Sequence, residues 1–213
     1  MKKVVSLLSG GLDSPVALYL MIKKGFKPVC LSFLTSDDDR HSMRNKIIKI
    51  VQSISNYTEE KIKLFFIYHD SNLNAFKDKC DRKLTCVLCK RLMIRIAKKI
   101  GKTVRTNFLM TGDILGEQAS QTLDNIFSYN EIIKGSILLR PLIGLNKLDI
   151  IKISEEIGLY ELCSQKSAGC QYNPQFPETH AKLHEVLNAE SHVKIKEMID
   201  QSINNADQLE FLC

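Results

Sequence analysis

A short apolar run, Val4-Val5-Ser6-Leu7-Leu8, leads directly into Ser9-Gly10-Gly11-Leu12-Asp13-Ser14, and Pro15 follows. A run this short and this apolar reads as a strand buried on both faces. Pro15 suits the first turn of a helix, Ser14 is a plausible N-cap, and Gly25 is well placed as the terminator. The chain is therefore expected to open as strand, glycine loop, helix. That order commits it to a layered α/β architecture.

The same alternation continues. Strands are expected at 28–34, 62–68, 108–111 and 137–142. Helices are expected from Asp37–Asp39 to about Ser53, over 88–100 with Gly101 as the stop, over 117–125, and over 147–157 between an Asn146 cap and Gly158. The signal from 72 to 85 is mixed. Past Pro177 it is helical and polar, fading toward Cys213. Strands separated by helices of this length form right-handed crossovers in a parallel sheet. The expected fold is thus an α/β parallel twisted sheet of about five strands with helices on both faces, spanning 1–176, plus a C-terminal helical extension over 177–213. A chain of 213 residues, 44% hydrophobic and 25% charged, can bury such a core.

Ligands of parallel sheets bind beyond the carboxyl ends of the strands, where the loop 9–14 lies. Glycines at 10 and 11 let the backbone approach an anion with no Cβ in the way. The following helix adds free N–H groups and the positive end of its dipole. The Ser9 and Ser14 hydroxyls can donate to phosphate oxygens. Asp13 makes sense beside phosphates if it holds Mg²⁺. A bare Gly-Gly turn with a capping serine is the plainer alternative. Gly101-Lys102-Thr103 imitates the end of a Walker A loop, but Ile96 stands where its first glycine belongs.

The hexapeptide 9–14 resembles the SGGxDS signature of the PP-loop ATP pyrophosphatases. Three further segments narrow the likeness: Lys90-Arg91-Leu92-Met93-Ile94-Arg95, the stretch from Thr111-Gly112-Asp113 through Gln118-Ala119-Ser120-Gln121-Thr122, and Leu139-Arg140-Pro141-Leu142-Ile143 with Lys147 beyond it. Together they resemble the catalytic domain of tRNA 4-thiouridine synthetase, the ThiI family, over roughly residues 1–180. The resemblance implies an adenine nucleotide α-hydrolase-like fold. It also implies an ATP-dependent sulfurtransferase that adenylates uridine O4 in tRNA before sulfur displaces AMP. On it, Asp13, Arg140, Lys147 and Cys170 would be catalytic. Ser9, Gly10, Gly11, Leu12, Asp13, Ser14, Gly112, Gln118, Ser120 and Gln121 would bind ATP. The alternative is a PP-loop enzyme that adenylates a small metabolite for thiolation or amidation, and a non-catalytic nucleotide- or metal-binding subunit is a third reading.

Seven cysteines, an odd number, argue against a disulfide framework. Cys86-Val87-Leu88-Cys89 is a CxxC, a spacing that lets two thiolates share a metal or a cluster. It departs from the bacterial ThiI pattern and resembles an archaeal, methanogen-like variant. In that variant a CxxC and one distant cysteine, here Cys170, bind an iron–sulfur cluster, [4Fe–4S] by three thiolates. A persulfide or disulfide relay and a zinc site completed by His180 and His184 are the alternatives left open.

A net charge of +6 permits an RNA partner. Arg91, Arg95, Lys98 and Lys102 recur at helical spacing and suggest a basic face, which is either an RNA track or a solvated surface. ThiI proteins usually carry an N-terminal THUMP region. With the first strand at Val4 it is expected to be missing, so either tRNA arrives through a separate RNA-binding partner or the chain thiolates something else. The sulfur donor is unspecified and a homodimer is open. No membrane association and a cytoplasmic location are expected.

Overall fold

The structure, a computed structural model, describes residues 2–35, 40–165 and 169–211. The expected helix start at Asp37–Asp39 and the terminal Cys213 lie outside these residues. From the N-terminus run β1 (Lys3–Leu7), α1 (Asp13–Lys23), β2 (Lys27–Leu34), α2 (Arg40–Ser55), β3 (Ile62–Tyr68), α3 (Asp70–Lys79) and α4 (Thr85–Thr103). They are followed by β4 (Phe108–Met110), α5 (Leu123–Phe127), β5 (Ile137–Leu139), α6 (Lys147–Glu156), α7 (Tyr160–Ser164), α8 (Leu183–Ser191), α9 (Ile195–Asn204) and β6 (Asp207–Phe211).

The six described strands form one sheet in the order β5-β4-β1-β2-β3-β6. All neighbours are parallel except β3 and β6, which pair antiparallel with Leu64 opposite Leu209. The expected parallel α/β sheet is present, with one added antiparallel strand drawn from the C-terminal segment. Its signal is short: Leu209 and Phe211 alternate with Gln208 and Glu210, the period-two pattern of a half-buried edge strand.

The unbroken apolar strands are explained by two cores, one on each face. Val4, Cys30, Leu64 and Phe66 point to the side covered by α1, α2 and α6. Val5, Leu31, Ile67 and Leu109 point to the other, under α3, α4 and α9. α4 dominates that second layer. Its Leu88, Leu92 and Ile96 are fully buried, so Leu92→Ala would cost about 2–5 kcal/mol.

Several local expectations are corrected. Helix α4 is longer than expected and does not stop at Gly101. A Cβ there would sit 2.8 Å from the Thr106 carbonyl, so this glycine admits the returning chain, and the left-handed residue that turns it is Arg105 (φ 59°). The expected helix over 117–125 is instead a 3-10 turn at Ala119–Gln121 followed by α5, whose first turn is held by the Thr122 hydroxyl. The mixed stretch after Tyr68 contains α3. Asn146 caps α6 as expected, accepting from the Asp149 N–H at 3.0 Å.

Candidate active site

The chain moves from β1 to β2 and β3 on one side, then crosses to β4 and β5 on the other. The strand order therefore reverses at the carboxyl ends of β1 and β4, the place where an open parallel sheet leaves a crevice. Residues 9–12 leave β1 there, and Gly112 leaves β4. The two loops touch: a Cβ on Gly112 would lie 2.7 Å from both Cα and N of Ser14. Only glycine lets the β4 loop rest against the first turn of α1.

Helix α1 begins at Asp13, so Ser14 is inside it and is not its N-cap. The residue before the helix is Leu12, which offers no side-chain cap. The Ser14 hydroxyl instead folds back on the loop. It accepts from the Ser9 N–H at 2.8 Å and lies 3.0 Å from the Ser9 hydroxyl. Pro15 still falls in the first turn, where its missing N–H costs nothing. Neither Gly10 nor Gly11 has positive φ. A Cβ on Gly10 would press to 2.7 Å on the Met43 sulfur, whereas one on Gly11 would make only an ordinary contact, 3.8 Å from the Ser9 hydroxyl.

Charge is gathered around this crevice. Lys147, at the start of α6, reaches Asp13 at 2.6 Å and Glu117 at 3.6 Å. Asp113, three residues past β4 and 1% exposed, receives Lys90 at 2.6 Å, the Thr111 hydroxyl at 2.7 Å and Arg140 Nε at 3.3 Å. Burial alone would raise the Asp113 carboxyl. Lys90, Thr111 and Arg140 outweigh it and hold the group below the usual carboxylate range. Arg140 Nη2 is buried without a partner among the described residues, leaving an unused donor beside this pair.

A cavity of about 590 Å³ opens from the crevice, a size that suits a small-molecule ligand. Ser9, Asp13, Ser14, Lys90, Gly112, Asp113, Gln118, Ser120 and Gln121 line one side of it. Cys86, Cys89 and Cys170 line the other. Cys86 sits in the first turn of α4, whose dipole favours negative sulfur, and Cys89 opens the second. Cys170 is carried on a turn closed by the Asn173 N–H on its carbonyl. That turn is pinned twice: the Tyr172 hydroxyl donates to Asp70 at 3.1 Å, and the Cys86 thiol donates to Asn173 Oδ1 at 3.2 Å. Burial pushes the Cys89 thiol up to about 12, with Cys170 and Cys86 adding to the effect. Cys86 is raised by burial and by Cys170.

Three thiols on one wall at a helix N-terminus are a chemically suitable donor set for an iron–sulfur cluster. Among the described residues no group of three or more His, Cys, Asp or Glu side chains is placed to share a single metal ion. A cluster takes its ligands on separate irons, so thiols that do not converge on one point still fit it. The zinc alternative loses its histidines. His180 lies before α8, exposed and 2.8 Å from Asp124, and neither it nor His184 lines the cavity.

Gln121 lines the cavity and also ties its loop, its Oε1 accepting from the Ile114 N–H at 3.3 Å. One other expectation changes. Three of the four residues of the basic stripe on α4 are tied to partners within the fold, and Lys102 is exposed. Arg91 is fully buried between Glu190, Glu131 and the Ser128 carbonyl; Arg95 shares Glu190; and Lys98 donates to the carbonyls of Ile132 and Lys134. His69, Lys90 and Asp113 carry no assigned role in the sequence reading. Lys90 and Asp113 lie inside the segments that support the resemblance, and that was the available signal. His69, beneath Cys89, had none.

The profile of the family "Thiamine biosynthesis protein (ThiI)" matches residues 1–195. The chain belongs to the ThiI family. A "probable tRNA sulfurtransferase" of Methanocaldococcus jannaschii is 40% identical over 199 residues, covering 91% of this chain and 50% of the relative. One from Methanobrevibacter smithii is 35% identical and covers 96% of this chain and 54% of the relative. This ThiI-family chain thus spans about half the length of the curated relatives it matches. Among solved structures, a 4-thiouridine synthetase–RNA complex with bound ATP superposes with a TM-score of 0.92 at 24% identity, over 99% of this chain and 55% of that one. The NMN synthetase of Francisella tularensis gives 0.58 at 16%, over 95% and 77%. These two likenesses establish the ThiI fold. Among the described residues, no helix is long and apolar enough to cross a membrane.

Proposed function

We propose that the chain is the catalytic part of an ATP-dependent tRNA sulfurtransferase that makes 4-thiouridine. The observation that carries this reading is the single cavity flanked by the anion loop on one side and three cysteines on the other. The first half-reaction needs a phosphate site and the second needs sulfur chemistry, and here they adjoin.

In the first step uridine O4 attacks the α-phosphorus of ATP, the bond to the β-phosphate oxygen breaks, and pyrophosphate leaves. The loop N–H groups and the α1 dipole hold the phosphates. Lys147 and Lys90 lie where charge grows on phosphate oxygens. Asp13 would be the residue to hold Mg²⁺, which supplies further charge neutralisation. Asp113 keeps Lys90 and Arg140 in place. In the second step a sulfur nucleophile adds at C4, the C4–O bond breaks, and AMP departs. Cys86, Cys89 and Cys170 would hold an iron–sulfur cluster, which when bound supplies an iron site able to carry sulfide. The tRNA could be delivered by a separate RNA-binding region or partner. The sulfurtransferase name of the curated relatives and the ATP- and RNA-bound structural neighbour support the same reading.

The test combines two measurements. Anaerobically reconstituted protein is incubated with ATP and unmodified tRNA, and pyrophosphate and nucleoside composition are followed together. The reading requires tRNA-dependent pyrophosphate release and 4-thiouridine in the digest. Pyrophosphate release with a small metabolite and none with tRNA would instead establish the small-metabolite alternative.

A further inference from the structure

Behind the thiol wall lies a polar group that the reaction scheme above does not use. His69 is the residue directly after β3, and its N–H continues the ladder to Leu34. The side chain is 1% exposed and lies against the Phe33 ring at a centroid distance of 5.1 Å. Its Nδ1 is 3.2 Å from Asn72 Nδ2, and its Nε2 is 3.4 Å from the Cys89 sulfur. The same Asn72 nitrogen donates to the Ser202 hydroxyl at 2.9 Å, across the interface with α9.

The contacts are those of an Nε2–H tautomer. With the Asn72 amide nitrogen facing Nδ1, that ring nitrogen accepts. A thiolate at Cys89 can only accept, so when this sulfur is ionised the ring proton is on Nε2, which faces it. A buried imidazole N–H is thereby aimed at one of the three cavity thiols. Such a donor gains little from a neutral thiol and much more from sulfur that carries negative charge. The fold spends a buried His–Asn–Ser array on holding it.

We propose that His69 is a built-in N–H donor to the Cys89 sulfur, one that steadies it as a metal-ligating thiolate and sets the redox poise of the group held by the three thiols. This rests on the cluster reading given above. Hydrogen bonds to ligand sulfur raise the reduction potential of an iron–sulfur centre, and outer-shell partners of ligands sustain affinity. His69 acts through Cys89 and does not touch the substrate.

The experiment uses the full chain, reconstituted anaerobically with iron and sulfide, as wild type, His69→Gln, His69→Leu and Asn72→Leu. Iron and sulfide content, midpoint potential and the rate of iron release to a ferrous chelator are measured on each. His69→Gln, which retains a side-chain N–H, should stay near wild type. His69→Leu should shift the midpoint to lower potential and release iron about tenfold faster. Asn72→Leu should move both in the same direction by less, and it carries the test if His69→Leu does not fold. Equal potentials and release rates across loaded variants would overturn the assignment and leave the cluster reading intact. An iron-free wild type would overturn the cluster reading itself, and the His69 assignment with it.

Discussion

The two walls of the cavity are built on opposite principles. On the phosphate side every described carboxylate is matched to a cation: Asp13 to Lys147, and Asp113 to Lys90 and Arg140. On the thiol side the sulfurs are set among Phe33, Leu73 and Tyr172, and the nearest titratable ring is the neutral, buried His69. On the proposed reading, the charged wall is preorganised for an anion that brings its own negative charge. On the thiol wall burial makes ionisation of Cys89 and Cys86 costly, while Cys170 stands exposed to solvent. One fold supplies both because the walls draw mostly on different elements: the loops after β1 and β4 with α1 and α6 on one side, α3, the start of α4 and the 170–173 turn on the other, with Lys90 of α4 reaching across to Asp113.

If the walls are functionally separate, variants should separate them too. The largest expected effect is on the charged wall. Asp13→Ala should lower pyrophosphate formation by about 10³-fold with the fold intact, read by coupled pyrophosphate assay and circular dichroism; turnover near wild type would remove Asp13 from the chemistry. Next comes the thiol wall's aversion to charge. Burial lowers His69 to about 4 from its ordinary 6.5. Between those values the unfolded chain binds the proton and the folded chain does not. Stability is fully present above pH 6.5 and is lost as pH falls toward 4. The unloaded wild type should lose about 3 kcal/mol across that window relative to His69→Gln, measured by urea melts at stepped pH. Parallel curves would mean that His69 is not buried neutral.

Smaller effects sharpen the division. Cys170→Ala should reduce thiolation by about 10²-fold while pyrophosphate release stays within about twofold, because the residue lies opposite the loop. Loss of both activities would show the walls to be coupled. Asp113→Asn should lower kcat/KM for ATP by on the order of 10-fold by loosening Lys90 and Arg140. If thiolation of a pre-adenylated substrate fell equally, Asp113 would belong to both sides.

Arg91 and Lys90 show why part of this was not readable from the chain. They are adjacent on α4, both basic, and in one segment of the family resemblance. Helical geometry turns Lys90 into the cavity and Arg91 into the interior, where Glu190 from α8 neutralises it. The basic stripe is a true periodicity, but its partners are 40 and 99 residues away. The same distance effect hid β6, which needs β3 as a template, and His69, whose meaning depends on Cys89 twenty residues later. Ser14 was misread for a local reason: its hydroxyl can cap a helix or tie back a loop, and only the helix start at Asp13 distinguishes the two.

What the sequence determined alone is what short-range physics determines. The apolar run, the glycine loop and the proline-led helix set the parallel α/β frame and put the glycine loop at the sheet edge, because strand burial, loop sterics and helix polarity act within a dozen residues. Tertiary structure decided which charges meet, which basic residue is buried in the interior, and that Cys170 arrives beside the CxxC. Those outcomes depend on crossovers that bring remote segments to one sheet edge, and pairing energies between such segments leave no periodic trace in the chain.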